Sequence, residues 1–179
     1  MNEKIEIMGI SLDTCSVEEI IESINTHWNQ EEALSTYGTL TMKLFMAAQK
    51  DPELKDYIQM LDKAVPDDPE VLWAAGVHDG KIEEEVSRHD FTGTLFWMLS
   101  QYRNHIFILG ETLEDAEEMF RYLEEKYPDI IVVGKDCLLN GESDQVDRVI
   151  NEINGVSPQA VLSCSRTFEL EKFVKEKRK

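Results

Sequence analysis

The chain has 179 residues, 42% hydrophobic and 30% charged, which is enough for one domain with a real core and unlike a disordered chain. Its 36 acidic residues against 18 basic ones give a net charge of −18, a field that repels nucleic acid and anionic membrane from the surface as a whole. No apolar run approaches the ~20 residues of a membrane span, and Met1-Asn2-Glu3-Lys4 lacks the basic-then-apolar order of a secretory signal, so a cytoplasmic protein is expected.

In chain order, Ile5 to Ile10 alternates apolar and polar residues as a strand does and turns at Asp13. Ser16 with Glu19 three residues on forms a capping box for a helix through Ile20, Ile21 and Ile24. A short strand is expected at Ala33–Tyr37, closed by Gly38, then a helix through Leu44, Phe45 and Ala48. Pro52 suits the first turn of the next helix, Glu53–Leu61. Lys63-Ala64-Val65 reads as a brief strand ending at Pro66, with a short helix at Val71–Ala75 and a longer one at Thr92–Tyr102.

The second half is more regular. Strand Ile106–Leu109, turn Gly110 and an acidic helix Leu113–Lys126 lead through Tyr127-Pro128 to strand Ile130–Val133, which ends at Gly134. A helix Ser143–Ile153, strand Ala160–Leu162 and a last helix to Lys179 complete a β-α-β-α-β run. This alternation predicts an α/β fold, a mostly parallel sheet with helices on both faces. In such sheets ligands bind beyond the carboxyl ends of strands, which directs attention to Thr39, Asp67, Gly110-Glu111, Gly134 and the segment after Leu162.

Several of these positions carry chemistry-bearing groups. Asp67-Asp68 at a strand end reads as a metal or general-base pair, or as a solvated turn in which Asp68 caps the helix from Pro69. Gly110-Glu111-Thr112 reads as a phosphate turn or as a plain strand-to-helix turn with Thr112 as N-cap, and Glu111 puts a negative charge where a phosphate would sit. Thr92-Gly93-Thr94 offers hydroxyls and a close backbone approach, or a cap cluster. Glu114, Asp115, Glu117 and Glu118 read as a solvated face, Trp28, Trp73 and Trp97 as core, and the basic end (Lys172, Lys175, Lys177, Arg178, Lys179) as complementing a helix dipole. Cys15, Cys137 and Cys164 show no CxxC spacing and read as buried small hydrophobes; the scattered histidines predict no metal site.

Longer segments, taken in order, carry a resemblance. Phe45-Met46-Ala47-Ala48-Gln49-Lys50-Asp51-Pro52-Glu53-Leu54 leads to Ala64-Val65-Pro66-Asp67 and Val71-Leu72-Trp73-Ala74-Ala75. Phe91-Thr92-Gly93-Thr94, Phe107-Ile108-Leu109-Gly110 and Tyr127-Pro128 follow. With the opening Gly9 strand and the late Glu171-Lys172-Phe173 helix, the chain resembles the WecG/TagA/CpsF family of bacterial glycosyltransferases over nearly its whole length. The resemblance implies one Rossmann-like domain over residues 1–179. It implies transfer of an N-acetylated amino sugar, typically N-acetylmannosamine, from a UDP-sugar to a polyprenyl-diphosphate-linked acceptor in cell-wall or surface-polymer synthesis. It further implies Asp67 as general base with Thr39 beside it, and substrate contacts at Thr41, Asp68, Thr92, Gly93, Thr94, Gly110, Glu111 and Glu171. No metal or cofactor is implied beyond the sugar donor; peripheral membrane contact and self-association are the partner expectations.

The departures from the family pattern share a direction. Thr39-Leu40-Thr41 stands for threonine-proline-asparagine; Asp68, Glu70 and Glu111 stand for glycines; Asp90 stands for an arginine; and Leu170 stands for a glutamine. The glycine-rich approach to the last helix reads Cys164-Ser165-Arg166-Thr167-Phe168, and the family's C-terminal appendage is expected to be missing beyond Lys179. Carboxylates and bulk thus replace small, amide or cationic groups where a diphosphate would bind, so slowed turnover, or a non-catalytic binding or assembly module, is expected.

Overall fold

The structure, a computed structural model, describes residues 4–13, 16–28, 34–66, 69–74, 90–138 and 143–177. The chain divides into two compact units, Met1–Thr92 with Val174–Lys179, and Gly93–Phe173.

The first unit opens with a hairpin, β1 (Lys4–Ile7) and β2 (Ile10–Asp13), paired antiparallel with Ile7 opposite Ile10. The expected single strand is therefore two. Met8 and Gly9 both take positive φ, 49° and 75°, the twist a two-residue hairpin turn demands, while the apolar alternation runs on through Ile10 and Leu12 and hides the break. Helix α1 (Val17–Trp28) starts from the expected capping box: the Glu19 amide donates to Ser16 Oγ (3.3 Å) and the Ser16 amide to Glu19 Oε2 (2.9 Å).

Strand β3 (Tyr37–Leu40) pairs in parallel with β4 (Lys63–Pro66), and the connection carries α2 (Met42–Ala48) and α3 (Pro52–Met60). Strand β3 runs through Gly38 instead of ending there. A Cβ on Gly38 would lie 2.7 Å from Leu61 Cδ1, so the glycine makes room for a core side chain and does not mark a turn. The buried Asp13 at the end of β2 accepts from Lys63 Nζ (3.2 Å) and from the Ala64 amide (3.0 Å), tying the hairpin to β4. Short helix α4 (Pro69–Ala74) follows β4.

After α5 (Phe91–Gln101), the second unit is the predicted β-α-β-α-β run. Strand β5 (His105–Gly110) is central, with β6 (Ile131–Cys137) on one side and β7 (Ala160–Cys164) on the other, all parallel. The intervening helices are α6 (Leu113–Lys126) and α7 (Ser143–Val156), and α8 (Glu169–Lys177) follows β7. A Cβ on Gly110 would lie 3.0 Å from Ala116 Cβ, so that face of β5 meets α6. Leu109, one residue earlier and on the opposite face, packs with Val149 of α7 and Leu170 of α8. Helices thus cover both faces, as expected of this mixed α/β fold with parallel sheets.

Two expectations are corrected in this unit and one in both. Strand β6 continues past Gly134 to Cys137, because Gly134 sits opposite Phe107, whose ring atom Cε2 is 2.6 Å from where a Cβ would be. Asp115 is buried rather than solvated, at 7% exposure, for a reason given by its partners below. Trp73 and Trp97 are surface residues, 51% and 59% exposed, not core. Trp97 points away from the buried arc of α5 made by Phe91, Phe96, Met98 and Leu99, as 100° per residue requires.

Candidate functional site

In the first unit the carboxyl ends of β3 and β4 lie side by side, with Thr39 opposite Val65 and Leu40 opposite Pro66. Thr39 is half-buried at this edge. Thr41 N-caps α2, its hydroxyl accepting from the Leu44 amide (3.2 Å) and its carbonyl from Phe45 (2.9 Å). Asp67, next in sequence after Pro66, and Asp68 lie outside the described residues, so the cap reading of Asp68 does too. Thr92, Gly93 and Thr94 fall within the first turns of α5, which already starts at Phe91, so they lie inside the helix and are not its cap; Thr92 is exposed and the other two half-buried.

In the second unit Gly110 ends β5 in a tight approach. A Cβ there would lie 2.3 Å from the Thr112 carbonyl oxygen and 2.8 Å from the Ala116 amide, so the turn into α6 tolerates only glycine. Thr112 caps α6 with a full capping box: Asp115 accepts from the Thr112 amide (3.0 Å) and hydroxyl (2.7 Å), and donates its own amide to Thr112 Oγ1 (3.2 Å). Those bonds, with Arg166 against its other oxygen, explain why Asp115 is buried. The Thr112 side chain is the main cause of an Asp115 pKa below the ordinary carboxylate range; burial opposes it, and the Thr112 amide and Arg166 reinforce it.

Glu111 has the most telling contacts. Its Oε2 accepts from the main-chain amides of Arg166 (2.8 Å) and Thr167 (3.0 Å), and its Oε1 meets the Thr167 hydroxyl. Burial would raise its pKa, but the Thr167 hydroxyl and the two amides outweigh it, and the carboxyl sits below its ordinary value. The turn it holds joins β7 to α8. There the Phe168 amide donates to Ser165 Oγ (2.9 Å), and Phe168 takes φ 72°, a left-handed conformation that glycine adopts freely and a bulky side chain does not. This is where the resemblance expects a glycine-rich approach.

Arg166 spans from this turn to α6, pairing with Asp115 Oδ1 and with Glu118 Oε2 (2.7 Å). Between them is an open cleft of about 490 Å³, walled by Glu118, Met119 and Tyr122 of α6 and by Ser163 to Arg166, the end of β7 and the start of the turn after it. The Cys164 thiol in its wall is pushed up to about 11 by burial first and the Asp115 charge second, so it stays protonated and unreactive at neutral pH. Glu171, in the first turn of α8, is raised above the ordinary glutamate value by burial, which hydrogen bonds from its own amide and Ser165 only partly offset. Its Oε2 is buried without a hydrogen-bond partner among the described residues.

The structure therefore groups Gly110, Glu111 and Glu171 around the 165–168 turn of the second unit, and sets Thr39 and Thr41 beside Pro66 in the first. Arg166, Thr167, Asp115 and Glu118 were not singled out as site residues. The available signal was a lone arginine just after a strand of a strongly acidic chain. No helix among the described residues is long and apolar enough to cross a membrane. The model of the glycosyl transferase WecG/TagA/CpsF family matches residues 5–179. No curated protein matches the chain.

Proposed function

The chain belongs to the glycosyl transferase WecG/TagA/CpsF family, and from that membership we propose that it is a slow glycosyltransferase. Its donor is a UDP-linked N-acetylated amino sugar, N-acetylmannosamine in the first instance, and its acceptor a polyprenyl-diphosphate-linked sugar, the chemistry of cell-wall or surface-polymer synthesis. The observation that carries this reading is the pairing of Thr39 with Val65 and Leu40 with Pro66. It aligns the ends of two parallel strands, the usual ligand edge of such a sheet, one residue short of Asp67.

In this reading Asp67 removes the proton from the acceptor hydroxyl as its oxygen attacks the anomeric carbon. The bond from that carbon to the β-phosphate oxygen breaks and UDP leaves with the electron pair. Thr39 holds the substrate at the strand edge. A general base contributes about 10²–10⁴-fold, so Asp67→Asn should lower kcat by that order. The measurement is acceptor-dependent UDP release from UDP-N-acetylmannosamine. Equal turnover by wild type and variant removes Asp67 from the mechanism.

One observation favours a second reading, a non-catalytic binding or assembly module: Glu111 fills main-chain amides at the other strand end with the protein's own carboxylate. The same assay separates the two readings, since a module releases no UDP with either chain.

A further inference from the structure

The anion held at the carboxyl end of the second unit's sheet is the protein's own. The Arg166 and Thr167 amides and the Thr167 hydroxyl converge on one Glu111 carboxylate, whose main chain is itself anchored by its amide donating to the Cys164 carbonyl (3.0 Å). Glu111 follows β5 and the 165–168 turn follows β7, its neighbour in the sheet, so the contact closes the gap between two adjacent parallel strand ends. Arg166 adds a second closure by reaching across to Asp115 and Glu118 of α6. The Arg166 and Thr167 amides, the Thr167 hydroxyl and the Arg166 guanidinium are thus engaged by three carboxylates of the protein itself, Glu111, Asp115 and Glu118.

We propose that Glu111 is an autoinhibitory latch: its carboxylate occupies the amide cradle of the 165–168 turn and closes it to diphosphate-bearing ligands. The inference rests on reading this strand end as the side of a glycosyltransferase that faces a diphosphate. The latch is local. Arg166 is 63% exposed, and the Glu111 contacts lie at the surface, so the turn exchanges one anion for another without disturbing the core below it. Removing the Glu111 charge takes away both the competitor and the repulsion of like charges. Arg166, still positive, then stands beside amides released from the Glu111 carboxylate.

The test uses inorganic pyrophosphate and UDP as probes, with wild type, Glu111→Gln and Glu111→Ala compared by titration calorimetry and by backbone amide NMR. Both probes should bind the variants at least about tenfold more tightly than wild type, a conservative share of what like-charge juxtaposition costs. The Arg166 and Thr167 amides should exchange faster in the variants and recover protection on adding pyrophosphate. Unchanged pyrophosphate affinity overturns the latch, as does a gain for UDP alone or a response confined to other amides. A measurement on wild type needs no variant: the Arg166 and Thr167 amides must stay unmoved at pyrophosphate concentrations that would saturate an open cradle, and their displacement there overturns the proposal. The outcome is separable from the transferase reading. A latch confirmed by pyrophosphate with no acceptor-dependent UDP release from any variant leaves the latch standing and removes the transferase.

Discussion

A missing methyl group decides the geometry at Gly110. The chain leaves β5 and enters α6 within three residues, so the Thr112 carbonyl and the Ala116 amide close on the space a side chain would fill. Gly110→Ala should destabilise by about 1–3 kcal/mol, the range for overpacking. The upper end is expected because the obstacles are backbone and cannot rotate away. Urea denaturation measures it, and a loss within error of zero would show that the turn opens freely. Nearby, two carboxylates respond oppositely to the fold, the more deeply buried Glu171 upward and the more exposed Glu111 downward. Glu111 meets amides and a hydroxyl and its pKa falls, whereas Glu171 keeps an unpartnered oxygen and its pKa rises.

At the scale of the element, α6 is defined by its first turn. Thr112 and Asp115 satisfy each other's amides, and Arg166 completes the Asp115 shell from outside the helix. Thr112→Ala should cost about 1 kcal/mol, the usual value for a lost N-cap. Asp115 has its folded-state pKa below its unfolded value, so it contributes stability that is present above the unfolded value and lost as pH falls through the folded one. The stability gap between wild type and Asp115→Asn should therefore be widest at neutral pH and shrink as pH drops below about 4, the unperturbed aspartate value. Denaturant midpoints at pH 7 and pH 3 check this; a constant gap would assign the effect of Asp115 to packing rather than charge. The hairpin of β1 and β2 was hidden for a related reason. Its turn is set by two backbone angles, at Met8 and Gly9, while the side-chain alternation passes over it unchanged.

For the whole molecule the governing quantity is the net charge of −18, with a sequence pI near 4.5. Self-repulsion opposes the compact state. Raising salt from about 0.01 M to 0.15 M shortens the Debye length from ~30 to ~8 Å, so Tm should rise over that range. Calorimetric scans at a series of NaCl concentrations read this directly. A falling Tm would mean that pairs such as Lys63–Asp13 and Arg166–Asp115 outweigh the general repulsion.

The sequence by itself determined the α/β class, the order of strands and helices in the second half, the capping box of α1 and Thr112 as the N-cap of α6. These follow from local spacing: apolar period, turn residues, and hydroxyl-to-carboxylate intervals of three. It also carried the family resemblance, since the motifs lie in register along the chain. Tertiary structure alone decided that Gly38 and Gly134 lie within strands, because each makes room for a distant side chain, Leu61 or Phe107. It likewise decided that Glu111 and Asp115 are bonded to a turn more than 50 residues away, so neither is a free acidic group. A carboxylate's role depends on which donors the fold delivers to it, and the pairing of β5 with β7 is what brings Arg166 and Thr167 within reach.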